Sequence, residues 1–218
     1  QVNVQALEKV QPKELEASEI EIRLGATWVD AEYITEFMGE LFQTPDYYLG
    51  SRIEVKYAPV NGQWNISGKS LDTYGNTRVT ATYGTARANA YRLLEDALNL
   101  RDTKIYDTIQ DADGEHRVLN KKETMLAQQK QDMIKEAFKE WIFRDIDRRE
   151  ALCKKYNEIF NSVRPREYDG SHIQFVGMTP EITLMPHQKN AVAHVLYGGN
   201  TLLAHCVGAG KTFQMIAA

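Results

Sequence analysis

Cysteine is scarce in this chain. Only Cys153 and Cys206 occur, far apart and in no metal-ligand spacing. That excludes a disulfide scaffold and a zinc ribbon, and it fits free thiols in a reducing cytoplasm. Long apolar runs are missing as well. No stretch approaches the roughly 20 residues that a membrane span requires, and no basic-then-apolar leader is present. No membrane partner is expected, and the expected location is cytoplasmic. Charge of one sign is in small excess, a net −4, which excludes a surface coated with cations for nucleic acid. An initiator Met is also lacking, and the chain stops at Ala218 inside an apolar helical run. Both features point to a piece of a longer polypeptide.

What is present is an ordinary globular balance, 43% hydrophobic and 26% charged residues. The charge is unevenly spread. Residues 1–50 hold three Lys/Arg and ten Asp/Glu, a net −7, while residues 121–166 hold twelve and eight, a net +4. A basic stretch within an acidic chain can face a phosphate backbone or form a solvated helical face.

Periodicity divides the first 166 residues into helices and short strands. Asp30 caps a helix over 31–43, with Ile34, Phe37, Met38, Leu41 and Phe42 on one face. Alternation over 52–58 predicts a half-buried strand. Asn61-Gly62 turns it into a second strand over 63–67, and 78–83 could add a third. Thr85 caps a helix over 86–99. A second hairpin joins 104–109 to 116–119 across Asp111-Ala112-Asp113-Gly114. Those acids lack EF-hand spacing, so a polar turn is expected there. Asn120 with Glu123 opens a helix over 121–143 with Leu126, Met133, Ile134, Ala137, Phe138, Trp141 and Ile142 on one face. Asp147 with Glu150 opens another over 148–163, with Leu152, Tyr156, Ile159, Phe160 and Val163 inward. Arg164-Pro165-Arg166 reads as a linker, followed by a turn and a strand over 172–176. His172, His187 and His194 have no metal-ligand spacing.

A sharper pattern lies in the first hairpin. Pro45-Asp46 followed by Glu54-Val55-Lys56 imitates the signature of metal-dependent nucleases, in which two carboxylates hold Mg²⁺ and a lysine assists the attacking water. Against it, Asp46 follows a helix and the gap is short. An exposed strand face is the competing reading.

The most informative residues are the last. An apolar run over 201–204 reads as a buried strand. Gly208, Ala209 and Gly210 form a turn, and Lys211 and Thr212 open a helix. Strand, Gly-rich turn and helix together are the context of a phosphate-binding loop. Glycines let backbone N–H groups approach a polyanion closely. Lys211 can reach the β and γ phosphates, and the Thr212 hydroxyl can join Mg²⁺. The strict pattern would place glycine at 205, where His205 stands. Upstream, Pro186 suits a first helical position, Val192, Val195 and Leu196 give that helix an apolar side, and Gly198-Gly199 ends it. At its start Gln188 offers an amide that can donate to and accept from one adenine edge at once.

These residues carry a resemblance. Gln188 followed after one helix by Gly208–Thr212 resembles the adenine-reading glutamine and phosphate loop of superfamily 2 helicases. More widely, the chain resembles the SNF2-like helicase region of large bacterial proteins joined to an adenine-specific DNA methyltransferase, carried on phages and conjugative elements. The matching runs are 24–28 (LGATW), 89–96 (NAYRLLED), 99–102 (NLRD), 164–172 (RPREYDGSH) and 196–205 (LYGGNTLLAH). SNF2-like loops commonly lack the first glycine. Cys206 stands where these proteins carry glutamate.

The resemblance implies an α+β accessory region over 1–166, bearing a helical hairpin, followed over 167–218 by the start of a RecA-like α/β (P-loop) domain. It implies ATP and Mg²⁺ as cofactors, with Gln188, Gly208, Ala209, Gly210, Lys211 and Thr212 holding the nucleotide and Lys211 and Thr212 catalytic. The expected partners are double-stranded DNA and the rest of the same polypeptide, namely a second RecA-like lobe and a possible methyltransferase domain. The alternatives are a non-catalytic DNA- or partner-binding module and the nuclease.

Overall fold

The computed structural model describes residues 4, 10–111, 114–163, 166–179 and 181–218. The chain divides into two compact units, Gln1–Ser162 and Val163–Ala218; the expected boundary was 166/167. Arg164 and Pro165 of the expected linker, and Ala112 and Asp113 of the expected turn, lie outside the described residues.

In the first unit, helix α1 (Ala31–Phe42) starts at Asp30 and ends at Gln43, whose φ of 54° is left-handed. Ile34, Phe37, Met38 and Phe42 are buried along one face, as the spacing predicts, with Leu41 partly covered. The antiparallel pair β1 (Val55–Ala58) and β2 (Gln63–Ile66) turns at Gly62, which has φ 66°. Helix α2 (Ala90–Leu98) is capped by Asn89, whose side chain accepts from Arg92 N–H. Thr85, expected to cap it, instead accepts from the N–H groups of Arg87 and Ala88 in a preceding turn.

Among the described residues no third strand joins β2. Residues Arg78–Thr82 form a π-helical turn, started by the Asn76 side chain accepting from Arg78 and Val79 N–H. The free edge of β2 is already occupied by side chains of α2 and of Asn99, which follows its last residue. Asn99 accepts from Trp64 N–H and donates to Trp64 C=O, both at 2.9 Å, and Glu95 accepts from Ile66 N–H at 2.6 Å. Buried backbone groups must be paired, and here two side chains on successive helical turns do what a strand would do.

Strands β3 (Tyr106–Asp111) and β4 (Gly114–Leu119) make a separate antiparallel hairpin. Helix α3 (Lys121–Ile142) begins at Asn120, which accepts from Glu123 N–H. Helix α4 (Ile146–Phe160) begins at Asp145, two residues before the expected capping pair. Ala127, Gln131, Ile134, Phe138, Trp141 and Ile142 are buried on α3. Leu126 and Met133, expected inside, are exposed. On α4 Leu152 is buried and Tyr156 partly so, but Ile159, Phe160 and Val163 are exposed. The actual face is set by what α1 and α2 offer. Phe138 and Trp141 meet Phe37 with ring centres 5.2 and 5.4 Å apart, and Gln131 donates to the carbonyls of Leu93 and Arg101. Three cations then tie α4 and the turn before it to α1: Arg144 to Glu40, Arg148 to Glu36 and Lys155 to the cap residue Asp30.

In the second unit, helix α5 (Pro186–Gly198) has Met185 as its cap and Pro186 at its first position, and Gly199 ends it. Val192 is buried there, whereas Leu196 is exposed. Helix α6 (Lys211–Ala217) follows the glycine turn. The strands expected over 172–176 and 201–204 are not formed. A strand exists only as part of a ladder, and among the described residues of this unit no other segment offers one. Leu202 is consequently 87% exposed.

Candidate nucleotide site

The second unit assembles its site from both helix starts and the loop between them. The segment 168–173, which turns at Ser171-His172, fastens the first helix. Gly170 N–H donates to Asn190 Oδ1 at 2.9 Å, and the Tyr168 ring stacks on His194 with centres 4.4 Å apart. Hydrogen bonds from the backbone N–H and then the hydroxyl of Ser171 hold the Asp169 carboxyl below its ordinary range. The run 164–172 therefore has a visible structural task on its described residues: it braces α5.

Gln188 is buried, and its amide ties that helix to the glycine turn. Oε1 accepts from Met185 N–H at 2.8 Å, closing a capping box. Nε2 donates to Ala209 C=O at 3.2 Å. One N–H and one lone pair of the amide remain beyond these two bonds. His187 Nε2 also lies 3.1 Å from Ala209 C=O.

Gly208 and Gly210 have φ of 89° and 71°, the left-handed region that favours glycine. At Gly210 a Cβ would collide with Gln188 Nε2, while at Gly208 it would meet open space. The Lys211 ammonium folds over the loop and donates to the carbonyls of His205 at 2.9 Å and Cys206 at 3.1 Å. Thr212 is exposed at the helix start. Thus Gln188, Gly208, Ala209, Gly210, Lys211 and Thr212 fall in one continuous patch. Among the described residues, the N–H groups of Gly208, Gly210, Lys211 and Thr212 donate to no protein acceptor.

Two residues of this patch were not anticipated as site residues. His187 has no metal-ligand spacing to mark it. Gln214 is fully buried, with Nε2 3.3 Å from Ala209 C=O and Oε1 3.1 Å from His205 Nδ1. The available signal was a lone amide between Phe213 and Met215-Ile216 in an otherwise apolar helix.

In the nuclease pattern the lysine is already engaged. Lys56 pairs with Glu54, and no hydrogen bond or ion pair links Asp46 to either. Among the described residues no cluster of three metal-binding side chains occurs. The basic stretch is likewise partly neutralised: Lys135, Lys139, Arg144, Arg148, Lys154 and Lys155 each face a carboxylate. No described helix is long and apolar enough to cross a membrane.

A family model described as "Domain of unknown function (DUF8437)" matches residues 23–162. The chain belongs to the DUF8437 family. That match covers most of the first unit and ends before the glycine turn, so the family model does not reach the candidate site. The chain is also similar to "Defense against restriction protein B" of Escherichia phage P1, 29% identical over 85 residues. The shared stretch is 39% of this chain but only 4% of that protein's length. No solved structure matches.

Proposed function

We propose that the second unit is the nucleotide-binding start of an ATP-dependent DNA helicase or translocase of SNF2-like type. The observation that carries this reading is the Lys211 ammonium lying across a loop of left-handed glycines whose N–H groups have no protein acceptor among the described residues. Such a loop presents a cation and several donors to one polyanion. A triphosphate supplies stronger acceptors than the two carbonyls Lys211 now holds. Thr212 has an exposed hydroxyl next to that ammonium, and one hydroxyl suffices where phosphates and water complete the Mg²⁺ shell. Mg²⁺ bound there would neutralise charge on the transferring phosphoryl group. Gln188 would read the adenine edge with the N–H and lone pair it has left.

The DNA-directed part of the proposal is supported by the resemblance to methyltransferase-linked helicases. The phage relative's name places that protein in defence against restriction. A motor moving on duplex DNA, with a second lobe and a methyltransferase in the same polypeptide, fits that setting. The first unit would then be an accessory region of the motor. The non-catalytic module gains less support, because six cations of its basic stretch are paired with carboxylates.

The test is ATP hydrolysis by the intact polypeptide with and without duplex DNA. Duplex DNA is expected to stimulate turnover, and Lys211→Ala is expected to lower it by at least about 100-fold, the scale of losing one charge that stabilises the transition state. Unchanged turnover in Lys211→Ala would remove Lys211 from the mechanism. Absence of stimulation by DNA, with Lys211-dependent hydrolysis intact, would leave a nucleotide hydrolase with another partner.

A further inference from the structure

We infer that Gln214 is a positioning residue of the polyphosphate site: its buried amide locks both ends of the glycine loop and so aims the Gly210 N–H at the ligand. The inference rests on the nucleotide reading above.

Three side chains converge on one carbonyl. Ala209 C=O receives Gln188 Nε2 at 3.2 Å, His187 Nε2 at 3.1 Å and Gln214 Nε2 at 3.3 Å. A carbonyl oxygen has two lone pairs, so this one is saturated and held toward the two glutamines. In a trans peptide the C=O and the following N–H point in opposite directions, and the chain contains no cis peptide among its described residues. Holding Ala209 C=O inward therefore turns the Gly210 N–H outward. The lock is on the peptide that a phosphate oxygen would meet.

The other end of the amide acts on residue 205. Because Nε2 faces a carbonyl, the amide must present Oε1 to the His205 ring, and the partner at 3.1 Å must then be a donor, Nδ1–H. His205 is the residue that replaces the first glycine of the strict pattern. A glycine there would leave Gln214 Oε1 buried without a partner; histidine supplies one. Gln214 is 0% exposed, so the loss of either bond leaves a buried polar group unpaired, which is costly. Gln214 touches no ligand in this arrangement. It acts through Ala209 and His205, while Lys211 separately holds the carbonyls of His205 and Cys206.

The experiment is calorimetric titration of the intact polypeptide with inorganic triphosphate and with ATP, comparing wild type, Gln214→Met, Gln214→Glu and Lys211→Ala. Met keeps length and removes both hydrogen bonds. Glu keeps the acceptor for His205 and sets a carboxylate against Ala209 C=O. Both are expected to raise the Kd for inorganic triphosphate by about 10- to 100-fold, as for one or two buried hydrogen bonds, with full binding stoichiometry. A role confined to holding the fold would instead reduce the fraction of binding-competent protein and leave Kd unchanged in the remainder. Unchanged Kd in either folded Gln214 variant, with binding abolished in Lys211→Ala, would overturn the inference and leave the nucleotide reading standing. Failure of wild type to bind either ligand would bring down the nucleotide reading itself. Should Gln214→Met not fold, Gln214→Glu decides alone.

Discussion

The guanidinium carbon of Arg148 stands 3.4 Å from the centre of the Trp141 ring. The same guanidinium donates to the carbonyls of Trp141 and Ile142, each at 3.0 Å, and to Glu36 at 3.0 Å. Those carbonyls end helix α3, where the last C=O groups have no partner within the helix; Trp141 C=O also accepts from Arg144 N–H at 3.1 Å. One side chain thus caps α3, sets the turn into α4 and reaches α1. Arg148→Ala is expected to cost about 2–3 kcal/mol, from the Ile142 carbonyl left unpaired, the Trp141 carbonyl left with Arg144 N–H alone, and a stacked cation lost. Arg148→Lys should recover little, since a point charge cannot reproduce the planar fork. Urea unfolding curves followed by tryptophan emission measure both, and a Lys variant as stable as wild type would refute the role of the fork.

Tyr91 makes stability depend on alkaline pH. Its ring is fully buried against Phe42, and its hydroxyl lies 2.6 Å from Thr44 Oγ1 and donates to Asp72 at 2.8 Å. Burial first, offset by the Thr44 bond and reinforced by the Asp72 carboxylate, pushes the phenol well above its ordinary value near 10. The folded state then keeps a proton that the unfolded chain has lost. Stability is full below about pH 10 and falls as pH rises beyond it, by up to about 1.4 kcal/mol per pH unit. Tyr91→Phe should remove this component and cost about 1–2 kcal/mol at neutral pH, where Asp72 and Thr44 lose a partner. Denaturation series for both proteins from about pH 8 to 11 report the difference in slope.

Helix starts were the most legible feature of the chain. Asn120 and Pro186 are read from residue type alone, because capping and a fixed φ act within one turn. Faces were less legible. Met133 and Leu126 fit the apolar period of α3 but turn outward, and the polar Gln131 turns inward because the carbonyls of Leu93 and Arg101 await a donor. That demand comes from elements some 30 residues away in sequence, and no local pattern contains it. The strand expected over 78–83 failed for a similar reason, since Asn99 and Glu95 already occupy the edge of β2. In the candidate site the loop residues could be named from their spacing. The amide of Gln214 could not, because its partners, His205 and Ala209, become neighbours only when the loop closes on α6.

The two loop glycines should not respond alike to substitution. Both have left-handed backbones, so alanine is strained at either by about 1 kcal/mol. At Gly210 the added Cβ also strikes the Gln188 amide, whereas at Gly208 it meets nothing. Without nucleotide, Gly210→Ala is expected to destabilise the second unit more than Gly208→Ala, by about 1 kcal/mol, as the Gln188 amide shifts and gives up its bond to Ala209 C=O. Hydrogen exchange on α5 and α6 in the intact polypeptide separates the two, and equal protection would mean that Gln188 swings aside freely.

Gln188 is asked to do two things, and the variants that separate them are Gln188→Ala and Gln188→Glu. As a tie it needs Oε1 for Met185 N–H and one Nε2 hydrogen for Ala209 C=O. As an adenine reader it needs the other hydrogen and the other lone pair. Glutamate retains the acceptor for Met185 but donates to neither Ala209 nor a purine. If Gln188 reads adenine, both variants lower the preference for ATP over GTP by about tenfold, within the range of one bidentate base contact. If it is only a tie, ATP and GTP affinities fall together and their ratio holds. Competition binding of the two nucleotides to the intact polypeptide yields that ratio directly, and a constant ratio alongside weakened binding would strip Gln188 of its specificity role while keeping it as the strut between α5 and the loop.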